Sequence, residues 1–128
     1  MSSTKQAIFP AAGAKPIGPY TPAIRSGNLL FASGQIGLDP ATGKLVPGGV
    51  AAEARQALTN LKTLIAAGGG SLGNVVKTTL FLTNISDFAS VNAIYAEFFP
   101  GEPPARSTIQ VAALPGGAAF EIEAIAAL

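Results

Sequence analysis

The chain has 128 residues, 12% of them charged and 48% apolar, with a net charge of +1 and neither cysteine nor histidine. That length suits one domain, taken here as 1–128, with a real hydrophobic core. Without thiol or imidazole there can be no disulfide, no zinc site of the usual kinds, no Ser-His-Asp triad and no Cys-His pair. A balanced charge without a basic run gives no electrostatic footprint for nucleic acid.

Typical soluble domains are about 25% charged, so part of the apolar surface is expected to be covered by identical copies. No apolar run approaches the ~20 residues of a membrane span. Met1 to Pro10 lacks the long apolar core of a signal peptide. A cytoplasmic homo-oligomer is the expectation.

Along the chain, the segment through Thr21 is rich in Ala, Gly and Pro and is read as meandering, with a short strand near Ala7–Phe9. Ala23–Ser26 and Leu29–Gln35 read as strands joined at Gly27-Asn28, a pair that supplies the positive φ of a tight hairpin. Asp39 to Gly43 and Pro47-Gly48-Gly49 are breaks. Val50 to about Ala67 is the clearest helix, with Ala54, Leu58, Leu61 and Ile65 at helical spacing and Gly68-Gly69-Gly70 as its stop. Val75–Leu82 reads as a strand. Ser86 or Asp87 caps a second helix to about Phe98, with Phe88, Val91, Tyr95 and Phe98 on its stripe. Two strands, Arg106–Val111 and Ala119–Ala126, close the chain. The plan is α+β: a single sheet with two helices on one face, the opposite face being the natural oligomer surface.

Alternation places Arg106, Thr108 and Gln110 on one side of their strand, and Glu121 and Glu123 together on theirs. If these strands pair antiparallel, matching their apolar sides sets Thr108 opposite Glu121 and Arg106 opposite Glu123. One guanidinium and two carboxylates would then lie within a few ångströms. Two readings stay open: a structural ion pair, or an anion site in which arginine grips a carboxylate bidentately and a glutamate orients water. Lys77, on a half-exposed strand, reads as solvated. Gly68-Gly69-Gly70 lacks the surroundings of a phosphate loop.

The runs Ile17-Gly18-Pro19-Tyr20, Ser33-Gly34-Gln35-Ile36, Asn60-Leu61-Lys62, Val75 to Thr79, Asp87-Phe88, Val91-Asn92, Pro104-Ala105-Arg106-Ser107, Leu114-Pro115 and Glu121 to Ala126 resemble the RidA/YjgF family over nearly the whole chain. The resemblance implies a chorismate-mutase-like α+β fold, a homotrimer and ligand sites in the clefts between subunits. It also implies hydrolysis of enamines and imines such as 2-aminoacrylate, released by pyridoxal-phosphate enzymes, to 2-keto acids and ammonia. Arg106 matches the family's carboxylate anchor and Glu121 its water-positioning residue, while Tyr20, Ser33 and Asn92 match other pocket residues. Thr108 stands where many members carry cysteine, a change that leaves a contact through the backbone intact.

Each supporting residue also has a plain structural reading. Tyr20 can plug a core edge, Ser33 can be a satisfied sheet hydroxyl, and Asn92, on the core-facing helix stripe, must find partners for its amide. The implied chemistry asks for no cofactor or metal. Two other functions fit the same sequence: a regulatory module that binds 2-keto acids or amino acids without turnover, and a ribonuclease or translation inhibitor.

Overall fold

The computed structural model describes residues 4–11 and 15–128. The readings of Met1–Ser3 and of 12–14 in the opening meander lie outside them. The strands are β1 (Gln6–Ile8), β2 (Ala23–Ser26), β3 (Leu29–Gln35), β4 (Val75–Leu82), β5 (Ala105–Gln110) and β6 (Phe120–Ala127). The helices are α1 (Gly49–Ala67) and α2 (Phe88–Phe98). All six strands join one mixed sheet in the order β1-β2-β3-β6-β4-β5, and only the β4–β5 pair is parallel.

Local chemistry explains the ends of these elements. Gly27 takes the left-handed conformation in the β2–β3 turn (φ 61°), whereas Asn28 does not share it. Past α1, Gly68 is still right-handed and Gly69 is the left-handed residue (φ 94°). Gly69 N–H donates to Ala66 O and Gly70 N–H to Ile65 O, the paired bonds of a Schellman stop. Neither Ser86 nor Asp87 caps α2 with its side chain. A 3-10 turn over Ile85–Asp87 precedes the helix, and the side chain of Asn84 accepts from Ser86 N–H instead. Asp87 does occupy the N-cap position of α2, but it is already in a right-handed conformation and its side chain makes no capping bond.

Alternation then builds the core. Leu30, Leu80, Leu82, Phe120, Ile122 and Ala126 are wholly buried under α1 and α2, which pack against each other over one sheet face. On the other face Phe31 and Ile109 are 42% and 46% exposed. Both helices lie on one face, as the pattern required.

One expectation fails. β5 and β6 are not neighbours, because β4 lies between them. Arg106 pairs with Thr78 and Thr108 with Leu80, while Glu121 pairs with Phe81 and Glu123 with Thr79. The reason is burial. Every second residue of β6 is in the core, so it belongs in the sheet centre, whereas β5 is mostly exposed and follows Pro103-Pro104. Proline cannot supply ladder donors, which suits a strand at the edge. The crossover through α2 makes β5 parallel to β4.

A buried carboxylate locks the two layers together. Glu53 of α1 accepts the Ala119 N–H at 2.8 Å just before β6, and Gly37 has no Cβ where its backbone meets that of Glu53. Removing the acceptor strands a buried N–H, so Glu53→Ala is expected to lower the unfolding free energy by about 2 kcal/mol. Glu53→Gln, which keeps an oxygen there, should recover most of the loss in thermal denaturation.

Candidate active site

Residues singled out by their chemistry fall into two clusters on opposite faces of the sheet. The first surrounds a cavity of about 390 Å³ lined by Tyr20, Ser33, Gly34, Asn60, Glu121 and Glu123 among others. It exists because β3 carries one residue too many: Ala32 pairs with Ala124 and Gln35 with Ile122, so three steps on β3 match two on β6. Such a bulge bends the strand and re-aims its side chains. Gly34 sits in the bulge, and a Cβ there would collide with the Glu121 carboxylate. Bulge and glycine together make the recess in which Glu121 rests.

That carboxyl is half-buried, and burial pushes its pKa above the ordinary value of 4.5, with the negative charge of Glu123 adding to the rise. Ser33 is positioned by two bonds, from its Oγ to Thr21 O at 2.7 Å and from its N–H to Pro22 O at 2.8 Å. The hydroxyl is thus a satisfied one, as its plain reading has it, and it also lies on the cavity wall. Tyr20 is 48% exposed, its hydroxyl accepting weakly from Ile17 N–H at 3.4 Å. It plugs no core. Asn60 donates to Ile36 O and Leu38 O, tying the wall that follows β3 to α1.

The second cluster lies beneath α2. Arg106 projects from the edge strand to the helix-covered side. Its Nη2 donates to Asn92 Oδ1 at 2.7 Å, and its guanidinium carbon sits 4.8 Å from the Tyr95 ring centroid and 5.3 Å from that of Phe88. Phe88, Asn92 and Tyr95 recur at helical spacing, so one stripe of α2 presents ring, amide and ring to a single cation. Among the described residues no carboxylate lies within ion-pair distance of Arg106. Asn92 thereby finds the partner its buried side required. Beside Arg106 opens a cleft of about 600 Å³ between Tyr95, Phe99 and Pro104. Two residues along β5, Thr108 Oγ1 is buried with no hydrogen-bond partner among the described residues.

Glu121 and Arg106 therefore do not meet within one chain. Two strand spacings, roughly 10 Å, and the thickness of the sheet separate them. The face shared by one guanidinium and two carboxylates does not form, because the matching of apolar sides constrains parity but cannot detect an intervening strand. Lys77 lies on the open face and donates to Ser107 Oγ at 2.9 Å. Sequence reasoning missed the packing of Phe88 and Tyr95 on Arg106, and the part of Gly34 and Asn60 in the cavity. The helical stripe containing Asn92 was the available signal for the first, and a lone glycine inside the strand Leu29–Gln35, a mark of a bulge, for the second. Among the described residues no cluster of carboxylates is placed to hold a metal ion.

With the geometry described, likeness to known proteins is extensive. The family model described as Endoribonuclease L-PSP matches residues 11–128. A mouse protein named 2-iminobutanoate/2-iminopropanoate deaminase is 54% identical over 110 residues, covering 86% of this chain and 82% of the relative. The crystal structure of RidA from an Antarctic Psychrobacter is similar at a TM-score of 0.93 and 41% identity, covering 96% of this chain and 99% of that one. Escherichia coli TdcF with bound serine is similar at 0.92 and 40%, covering 97% and 99%. A model match over most of the chain, whole-length relatives and a common α+β sheet lead to one assignment: the chain belongs to the RidA/YjgF family.

Proposed function

We propose that this protein is a 2-iminobutanoate/2-iminopropanoate deaminase, hydrolysing reactive imines and their enamine tautomers to 2-keto acids and ammonia in the cytoplasm. It acts as a homotrimer whose sites lie between subunits. The observation that carries this reading is the division of the chemistry: a guanidinium without a carboxylate partner among the described residues on one sheet face, and a carboxyl of raised pKa on the other. A second copy brings the two together. The outward-facing Phe31 and Ile109 provide apolar area for that contact.

The geometry suits the reaction. Nη2 of Arg106 is held by Asn92, and its remaining donors are available to grip the substrate carboxylate, with Thr108 beside them. Glu121 of the adjoining subunit, with Tyr20 and Ser33 around it, positions a water against the C=N carbon. Water oxygen bonds to that carbon as the C=N π pair moves to nitrogen. Glu121 takes one water proton and passes it to the nitrogen, giving a carbinolamine. It then takes the hydroxyl proton and passes that to the amine, so that the C–N bond breaks, ammonia leaves and the C=O forms. A carboxyl with a raised pKa both accepts and returns a proton near neutrality more readily than an ordinary one. Orientation of two bound reactants supplies several kcal/mol more. A structural neighbour holding serine supports a small α-substituted carboxylate as the ligand class.

Of the rival readings, nucleic-acid cleavage meets a net charge of +1 and no histidine. The binding module differs from the enzyme by turnover alone. A pyridoxal-phosphate dehydratase generating the imine in situ tests this directly, with 2-keto acid release followed over time. Wild type is expected to accelerate release, and Arg106→Ala to lose about 100-fold or more in kcat/KM, the worth of one or two charge-assisted bonds. Saturable 2-keto acid binding without acceleration would make the protein a binding module.

Mixing tests the shared site. Arg106→Ala and Glu121→Gln subunits, each inactive alone, should on reassembly regain roughly one quarter of wild-type activity, the chance of an intact pair meeting across an interface. No recovery would place both groups in one subunit's site.

The pH dependence has a definite sign. Glu121 must be ionised to take the water proton, so kcat/KM falls as pH drops through its raised pKa, and the acid limb lies above 4.5. Tyr20, Lys15 and Glu123 line the same cavity. Glu123→Gln removes the neighbouring negative charge and should move that limb to lower pH. The movement is partial, because burial is the larger cause of the rise.

A further inference from the structure

Asn92 and the partly exposed Phe88 border Arg106 from α2. Tyr95 of the same stripe is its buried neighbour. Only 5% exposed, it would pass for an ordinary core aromatic but for its hydroxyl, which shares a 2.8 Å hydrogen bond with Thr78 Oγ1. Thr78 is wholly buried on β4, and in the parallel β4–β5 register its direct partner is Arg106. Three residues thus close a ring. The sheet ladder joins Thr78 to Arg106, the hydroxyl pair joins Thr78 to Tyr95, and the ring–cation contact joins Tyr95 to Arg106.

A carboxylate is gripped bidentately only when the guanidinium plane is correctly turned, since two parallel N–H bonds must reach two oxygens at once. The long arginine side chain has no such orientation by itself. One bond to Asn92 fixes a single nitrogen, but rotation about that bond would still tilt the plane. A flat ring 4.8 Å away removes this freedom, provided the ring is itself immobile. The Thr78 hydroxyl supplies that immobility from inside the sheet.

We propose that Tyr95 and Thr78 are positioning residues for the Arg106 anchor, setting the plane in which its guanidinium meets the substrate carboxylate. This rests on the reading of Arg106 as that anchor. A purely structural Tyr95 would affect stability alone. A positioning Tyr95 affects ligand affinity as well, and raises KM more than it lowers kcat, because the loss falls on the carboxylate held equally in ground and transition states.

The test compares wild type with Tyr95→Leu, Tyr95→Phe, Thr78→Val, the Tyr95→Phe/Thr78→Val pair and Arg106→Ala. It measures Kd for 2-oxobutanoate by calorimetry, KM and kcat in the coupled assay, and Tm. Tyr95→Leu should weaken binding about three- to thirty-fold, the range of a desolvated cation–π contact. Tyr95→Phe keeps the ring and should lose less. The double variant should bind no more weakly than the worse single one, because the two hydroxyls form one interaction. A folded Tyr95→Leu with wild-type Kd and KM would overturn the inference. Should that variant not fold, Tyr95→Phe and Thr78→Val decide: altered Tm with unchanged Kd and KM overturns it equally. Arg106→Ala separates the two layers. If it binds 2-oxobutanoate as wild type does, the anchor reading falls and this inference with it; if it loses binding while the Tyr95 and Thr78 variants keep theirs, this inference alone falls.

Discussion

The burial of β6 at the centre of the sheet is the constraint from which the site follows. Four of its eight side chains, Phe120, Ile122, Ala124 and Ala126, must be covered by helices, and no edge position offers that cover. Because a strand alternates, the residues between them are driven to the opposite face, so Glu121 and Glu123 point away from both helices. Arg106, one strand further out than β4, points toward α2. The Arg106 guanidinium and the Glu121 carboxyl are thus parted by the same packing that holds the domain together, and in the proposed mechanism it is a second copy that reunites them.

Two kinds of electrostatic environment result. Arg106 keeps its charge among aromatic rings and one amide oxygen, which satisfy it only in part and leave it receptive to an anion. Arg55 offers a contrast within the same chain. Its guanidinium is paired to Glu97 at 2.9 Å on the exposed surface, which raises its own pKa and lowers that of Glu97. A paired surface arginine has little left to offer a ligand, and such a pair adds little stability in water. Arg106 differs from Arg55 in that, among the described residues, the fold brings it no carboxylate.

Much of this was legible in the sequence because the signals were periodic. Leu29–Gln35 is set off by the Gly27-Asn28 turn and Val75–Leu82 by its β-branched, apolar composition. α1 was delimited by its apolar spacing and its glycine stop, to within one residue at its start. Asn92 was recognisable as a polar group on a burying stripe. What stayed hidden was nonlocal. Strand order depends on which strand needs cover on its helix side, a property of the whole set of strands. Hence Thr108 and Glu121 were set opposite one another although β4 lies between them. The side-chain capping bond belongs to Asn84, at the head of the extra turn before α2, and a turn of three residues leaves no periodicity to detect. The recess around Glu121 depends on a bulge, which Gly34 hints at in the sequence without showing which side chain fills the space beside it.

That bulge constrains the length of the chain and not only its composition. Before it, Leu30 and Ala32 point toward the helices; after it, the odd-numbered Gln35 takes the row of Ile122. Substitution at Ser33 leaves this change of parity in place. Loss of a single residue between Ala32 and Gln35 would instead restore an unbroken ladder and close the space in which the Glu121 carboxylate lies. Among relatives of this chain, alignment gaps should therefore be far rarer across these four positions than in the turn at Asp39 to Gly43, where the count of residues governs nothing on the sheet.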